Sequence, residues 1–146
     1  MAVIAVSSCL LGCRCRYKGD GQRCERVVAL AQKHTLLPIC PEQLGGLPTP
    51  RLPSEIVGGR VVMRDGSDVT AQYAAGAAEA LSLARMLRAD FAILKANSPS
   101  CGKGQIYDGS FTGQKTAGNG VTAQLFLESG IPVYTENDWP DWPVEE

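Results

Sequence analysis

The sequence is short of several things, and each shortage removes a class of function. It holds one histidine, His34, in 146 residues, placed near a helix end facing the next strand, so a Ser-His-Asp triad has little support. Neither sign of charge is in surplus: 14 Lys and Arg against 15 Asp and Glu leave a formal net charge of -1. A nucleic-acid polymer or an anionic membrane would favour a basic face, so neither is expected as a partner, although free bases and nucleosides are not excluded. No stretch approaches the ~18 consecutive apolar residues of a membrane span. The opening run MAVIAVSSCLLGC is apolar, but it lacks the Lys/Arg segment and the apolar length of a signal peptide, and a lipoprotein anchor on Cys9 fails for the same reason. The expected location is therefore the cytosol.

What the sequence does have is thiols. Six cysteines in 146 residues are not needed as disulfide staples, because a chain of this length buries an adequate core. In a reducing compartment they point to metal binding or catalysis before disulfides. Cys9, Cys40 and Cys101 form no close C-x-x-C pair, which argues against a zinc finger. Each instead follows a short apolar run: Val3 to Val6, Leu36 to Ile39, and Phe91 to Leu94 with the turn Lys95 to Gly104. In that turn Pro99 fixes a torsion while Gly102 and Gly104 free others, so Cys101 is held in place yet open to close approach. If the three runs are parallel strands of one sheet, all three sulfurs leave its carboxyl edge, where open α/β sheets bind ligands.

The spacing of apolar residues predicts one domain over residues 1–146, an α/β Rossmann-like three-layer fold with a mostly parallel sheet. A strand at 2–6 leads into a cysteine- and glycine-rich loop from Ser7 to Gly21, a helix from Cys24 to His34 and a strand at 36–39, which completes a βαβ unit. Four prolines and two glycines between Pro41 and Pro53 predict an ordered loop with no helix interior or central strand. A hairpin is expected over Ile56 to Met63, and a long helix runs from an N-cap at Ser67 or Asp68 to about Arg88. Turns of a glycine-rich covering loop span Tyr107 to Gly120. A helix at 121–129, capped by Gly130, and a strand at 131–134 follow.

Three thiolates from separate loops can hold a [4Fe-4S] cluster, which normally takes four, and so leave one iron open as a sulfur-seeking Lewis acid. Single buried cysteines are more often small core hydrophobes; the weight here lies in the trio. Glu42, in Cys40-Pro41-Glu42, can move protons for an attacking water. Ser98 and Ser100 flank Pro99 and can bind substrate or hold Cys101. Lys95 and Arg51 can orient a carbonyl or a leaving sulfide, and Tyr17, Tyr107 and Phe111 can stack on a planar ring. Of Cys13 and Cys15, one can be an auxiliary thiol; Cys24 is expected to pack. A metal or iron-sulfur carrier or sensor without turnover, and a thiol-redox protein, remain as competing readings.

The chain resembles, nearly end to end, a small bacterial family long catalogued as a domain of unknown function, of which a thiouracil desulfidase is the member with an assigned activity. The resemblance rests on Ser8-Cys9-Leu10-Leu11-Gly12 with Arg16-Tyr17, and on Cys40-Pro41-Glu42 through Gly45-Gly46-Leu47-Pro48-Thr49-Pro50-Arg51. It continues through Asp68-Val69-Thr70, Leu94-Lys95 with Ser98-Pro99-Ser100-Cys101-Gly102, Tyr107-Asp108-Gly109-Ser110-Phe111, and Gly118-Asn119-Gly120-Val121-Thr122. It implies a [4Fe-4S] cluster on Cys9, Cys40 and Cys101 with the fourth iron free. It further implies non-redox removal of sulfur from a thiolated pyrimidine or similar small thiocarbonyl compound. Glu42 matches the acid/base carboxylate, and Ser98, then Ser100, a substrate-contacting serine.

Overall fold

The computed structural model describes residues 1–144. Four strands, β1 (Val3–Ser7), β2 (Thr35–Ile39), β5 (Phe91–Leu94) and β8 (Val133–Thr135), form one sheet in the order β2-β1-β5-β8. Every pairing in it is parallel, with Ser7 level with Ile39 and Val6 level with Ile93. The two central strands alternate between cores. Ala5, Ala92 and Leu94 face one cluster with Ala80, Ala84 and Phe126, whereas Ile4, Val6 and Ile93 face another with Val27 and Trp142. Burial on both faces explains why these runs are apolar throughout rather than alternating with polar residues.

The helices make the outer layers. On one face lie α2 (Pro41–Leu44), α3 (Thr70–Met86) and α4 (Val121–Glu128); on the other lies α1 (Glu25–Ala29). Tyr73, Ala77, Ala80, Leu81 and Ala84 form the buried stripe of α3, and its alanines bring the helix close to Ala5 and Ala92. Two small antiparallel hairpins cover the carboxyl end: β3 (Ser54–Val57) with β4 (Arg60–Met63), and β6 (Gln105–Tyr107) with β7 (Lys115–Ala117). Leu47, Val61, Val69 and Tyr73 form the cluster that seats the first hairpin on α3.

Three expectations need correction. The proline-rich segment begins with one helical turn, α2, because Pro41 occupies its first position, where a missing N–H costs nothing. The covering loop contains the β6–β7 hairpin rather than turns alone, since glycines at its bends leave the intervening residues free to pair. Helix α3 starts at Thr70 with Val69 at its N-cap; Asp68 instead accepts the Thr70 backbone N–H at 2.9 Å from outside the helix.

Close backbone approaches fix the loops that matter. A Cβ added at Gly76 would lie 1.8 Å from the carbonyl oxygen of Pro41, and one at Gly45 would lie 2.0 Å from that of Gln72. Helices α2 and α3 therefore touch through their backbones, and this contact sets the height of the Cys40–Glu42 turn. At the other side, a Cβ on Gly120 would be 2.5 Å from the Ser100 carbonyl, so the start of α4 is pressed against the Cys101 turn.

Candidate active site

The chain runs from β1 outward to β2 and then returns to β5 on the opposite side of β1. Loops leaving the carboxyl ends of β1 and β5 therefore part in opposite directions and open a crevice. Cys9 lies just past β1, Cys40 is the residue after β2, and Cys101 closes the turn after β5. All three line one cavity of about 460 Å³, together with Cys15 and Glu42. Cys9, Cys15 and Cys101 are each 6% exposed.

The thiols face little water and several other thiols. Burial drives Cys101 up to about 12, opposed by the Ser7 hydroxyl and raised again by the Glu42 and Cys40 charges. A hydrogen bond with Cys15, then burial, raises Cys40. For Cys15, contact with Cys40 pulls down, but the bond to Cys9, burial and the neighbouring thiols raise it to about 11. The metal-free pocket thus favours neutral thiols. Since thiolates are the ligand form, a cationic group entering here must displace protons.

The donor set fits an iron-sulfur cluster: Cys9, Cys40 and Cys101 line one cavity, and Cys9 and Cys101 are buried. Soft, buried sulfur ligands round one cavity suit that chemistry.

The sequence profile of the 2-thiouracil desulfurase family matches residues 4–138. This chain belongs to that family. It is 44% identical over 149 aligned residues to the uncharacterized protein YbbK of Bacillus subtilis (strain 168), covering 95% of this chain and 99% of that one. It is also similar to the solved structure of a [4Fe-4S]-dependent thiouracil desulfidase, TudS, with a TM-score of 0.92, 44% identity, and coverage of 97% of this chain and 95% of that chain.

Within this 2-thiouracil desulfurase fold the remaining expected residues separate. Ser98 lines the cavity, and its Oγ accepts the backbone N–H groups of Ser100 and Cys101, each at 3.0 Å. With its oxygen so occupied, its hydroxyl hydrogen is left to donate into the cavity. Ser100 does not line the cavity. It is 1% exposed and its Oγ lies 2.9 Å from Thr122 Oγ1, because neighbouring residues in a tight turn point apart. Its hydroxyl supports the Cys101 thiol from behind, so of the two roles expected for Ser100 its place fits holding Cys101 and not contact with a molecule in the cavity.

Lys95 lines the cavity but its Nζ donates to Glu136 Oε2 at 2.7 Å, which neutralises it. Tyr17, Tyr107 and Phe111 line the wall. Cys13 is exposed and lies outside the lining, and Cys24 packs against the α1 core. Residues the sequence did not single out are Glu55 and Tyr73. The Glu55 Oε1 accepts N–H groups from Gly109 at 3.0 Å and Phe111 at 3.2 Å, so it ties the covering loop to the β3–β4 hairpin. Phe111 is held at φ 57, an unusual conformation for a bulky residue, which turns its ring toward the wall. Burial raises the Tyr73 hydroxyl, which lies beside Glu42 and Ser54. The signal for Glu55 was available: a glutamate in a strand otherwise facing a core requires a partner.

Proposed function

We propose that this protein is an iron-sulfur-dependent desulfidase that converts the C=S group of a thiolated pyrimidine, or a similar small thiocarbonyl compound, to C=O with release of sulfide. Cys9, Cys40 and Cys101 would hold the [4Fe-4S] cluster. When bound, that group supplies an iron with high affinity for sulfur and so weakens the carbon–sulfur bond. The observation that carries the reading is the meeting of three thiols, from the ends of three parallel strands, with Glu42 in one cavity.

The chain's own groups have separable tasks. Glu42 takes one proton from a water attacking the thiocarbonyl carbon and gives it to the sulfur, then takes the second from the hydroxyl left on that carbon as the C–S bond breaks and passes it to the departing sulfur, so that water and C=S become C=O and hydrogen sulfide with no net change in oxidation state. Ser98 donates a hydrogen bond from its free hydroxyl to a ring heteroatom. Tyr17, Tyr107 and Phe111 sandwich the planar ring and limit water to the molecule consumed. A cytosolic setting accords with this reading: the described cysteines are free thiols, and among the described residues no helix is long and apolar enough to cross a membrane.

Anaerobic reconstitution with iron and sulfide, followed by assay of sulfide release and of the oxygenated base from a panel of thiolated bases and nucleosides, tests the proposal. Catalytic release from at least one compound supports it; a protein that binds four irons per chain yet releases no sulfide would be a cluster carrier or sensor instead.

A further inference from the structure

Arg51 is the most thoroughly engaged cation in the molecule. Its side chain is 3% exposed, against 15% for the Glu42 it pairs with. A guanidinium has five N–H donors, and the structure places every one. The Nε donates to Glu42 Oε2 at 2.8 Å, and Nη2 donates to the same oxygen. Nη2 also donates to the Cys15 carbonyl at 3.0 Å, and Nη1 donates to the Pro48 carbonyl at 3.2 Å and to Thr49 Oγ1 at 3.0 Å. Its own backbone N–H donates to the Tyr17 carbonyl at 2.8 Å. No N–H is left over for a ligand, which rules out the earlier expectation that Arg51 orients a carbonyl or a leaving sulfide.

The choice of acceptors is uneven in an informative way. Both bonds to the carboxylate end on Oε2; none goes to Oε1. A side-by-side fork would have engaged both oxygens and occupied the whole group. Here the guanidinium fixes one oxygen and makes no bond to the other, and the Tyr73 hydroxyl lies beside the same carboxylate. The same nitrogen that grips Glu42 also grips the loop of Cys15, whose carbonyl further accepts from the Cys40 thiol at 3.8 Å.

We infer that Arg51 is a positioning residue that fastens Glu42 by one oxygen to the 13–17 loop, so that Oε1 meets the reacting water at a fixed height above the thiols. The inference rests on the proton-transfer role proposed for Glu42. It requires a planar fork, which lysine lacks, rather than a positive charge alone.

The test compares R51K, R51Q, E42Q and the double variant E42Q/R51K in anaerobically reconstituted enzyme. R51K lowers kcat for sulfide release by about 10- to 100-fold, the usual cost of losing a group that orients an active one, while KM changes by less than about threefold and iron per chain stays that of the wild type. In the E42Q background the added R51K substitution changes kcat by less than about twofold, because its target is gone. A raised KM with unchanged kcat would show that Arg51 meets substrate, and independent, multiplying losses in the double variant would show that it acts apart from Glu42; either result overturns the inference. Hydrogen exchange of the metal-free protein gives a reading that needs no turnover. Segments 13–17 and 41–44 exchange faster together in R51K and R51Q while β1 and β5 are unchanged. Unchanged exchange in both segments overturns the inference even if the enzyme proves active; faster exchange with no sulfide release from the wild type leaves Arg51 as the fastening and removes the desulfidase reading alone.

Discussion

The two ends of the central sheet use polar residues to different effect. At the amino end, His34 Nδ1 accepts the Ala2 backbone N–H at 3.0 Å and Asp90 Oδ2 accepts that of Val3 at 2.8 Å. These side chains take the backbone N–H groups at the start of the first strand, and they face a shallow cleft. At the carboxyl end side chains also take backbone N–H groups, as Ser7 Oγ does from Lys95 at 2.9 Å, but there a buried ion pair is added, Arg51 gripping Glu42 Oε2 beside the thiols. The only histidine of the chain, the residue most often suspected of chemistry, sits at the end that does none. Residue type says less about function than whether the surroundings have already used the side chain.

That contrast can be broken by mutation. The largest effect belongs to Cys40→Ala, which should abolish stable iron binding on anaerobic reconstitution, whereas Asp90→Ala at the opposite edge should leave iron per chain unchanged; elemental analysis of both decides it. Next, Glu42→Ala should retain iron but reduce sulfide release by about 10²- to 10⁴-fold, the usual worth of a proton-transferring group. An active Glu42→Ala enzyme would remove that role. Gly76→Ala drives a Cβ into the Pro41 carbonyl and should cost about 1–3 kcal/mol in denaturant unfolding, as overpacking does. Smaller still, Asp90→Ala should cost about 0.5–1 kcal/mol for an exposed hydrogen bond that water can replace, with turnover unaffected.

A pH series sharpens the same contrast without mutation. Cys15 and Cys101 are raised from 9.0 to about 11 and 12 in the folded, metal-free state. Their neutral forms are therefore favoured by folding, and this stabilisation is present below pH 9 and lost as pH rises toward 12. Chemical denaturation of metal-free protein should show stability declining over that interval. Replacing Cys101 with Ser should flatten the decline.

The strand-end thiols were legible in the sequence because two simple periodicities suffice: an apolar run too short for a helix, and a polar turn after it. Parallel pairing then puts Cys9, Cys40 and Cys101 at one edge whatever the detailed packing. Cys15 was harder, since it sits in an irregular loop where no period says which of Cys13 and Cys15 turns inward. Arg51, 36 residues away along the chain, holds the Cys15 carbonyl, and long-range hydrogen bonds leave no local mark. Ser98 and Ser100 read alike for a related reason: in a turn, two residues can share composition and spacing yet point to opposite sides. The covering hairpin was missed because its strands are only three residues each, and neither carries an alternating pattern long enough to recognise.

The order of the strands also has a bearing on biosynthesis. The three cysteines proposed as cluster ligands stand at positions 9, 40 and 101, and the third follows β5, which pairs with β1 on the side away from β2. On the proposed ligand set, a chain still short of residue 101 lacks the third donor, so loading would wait until most of the polypeptide has been made.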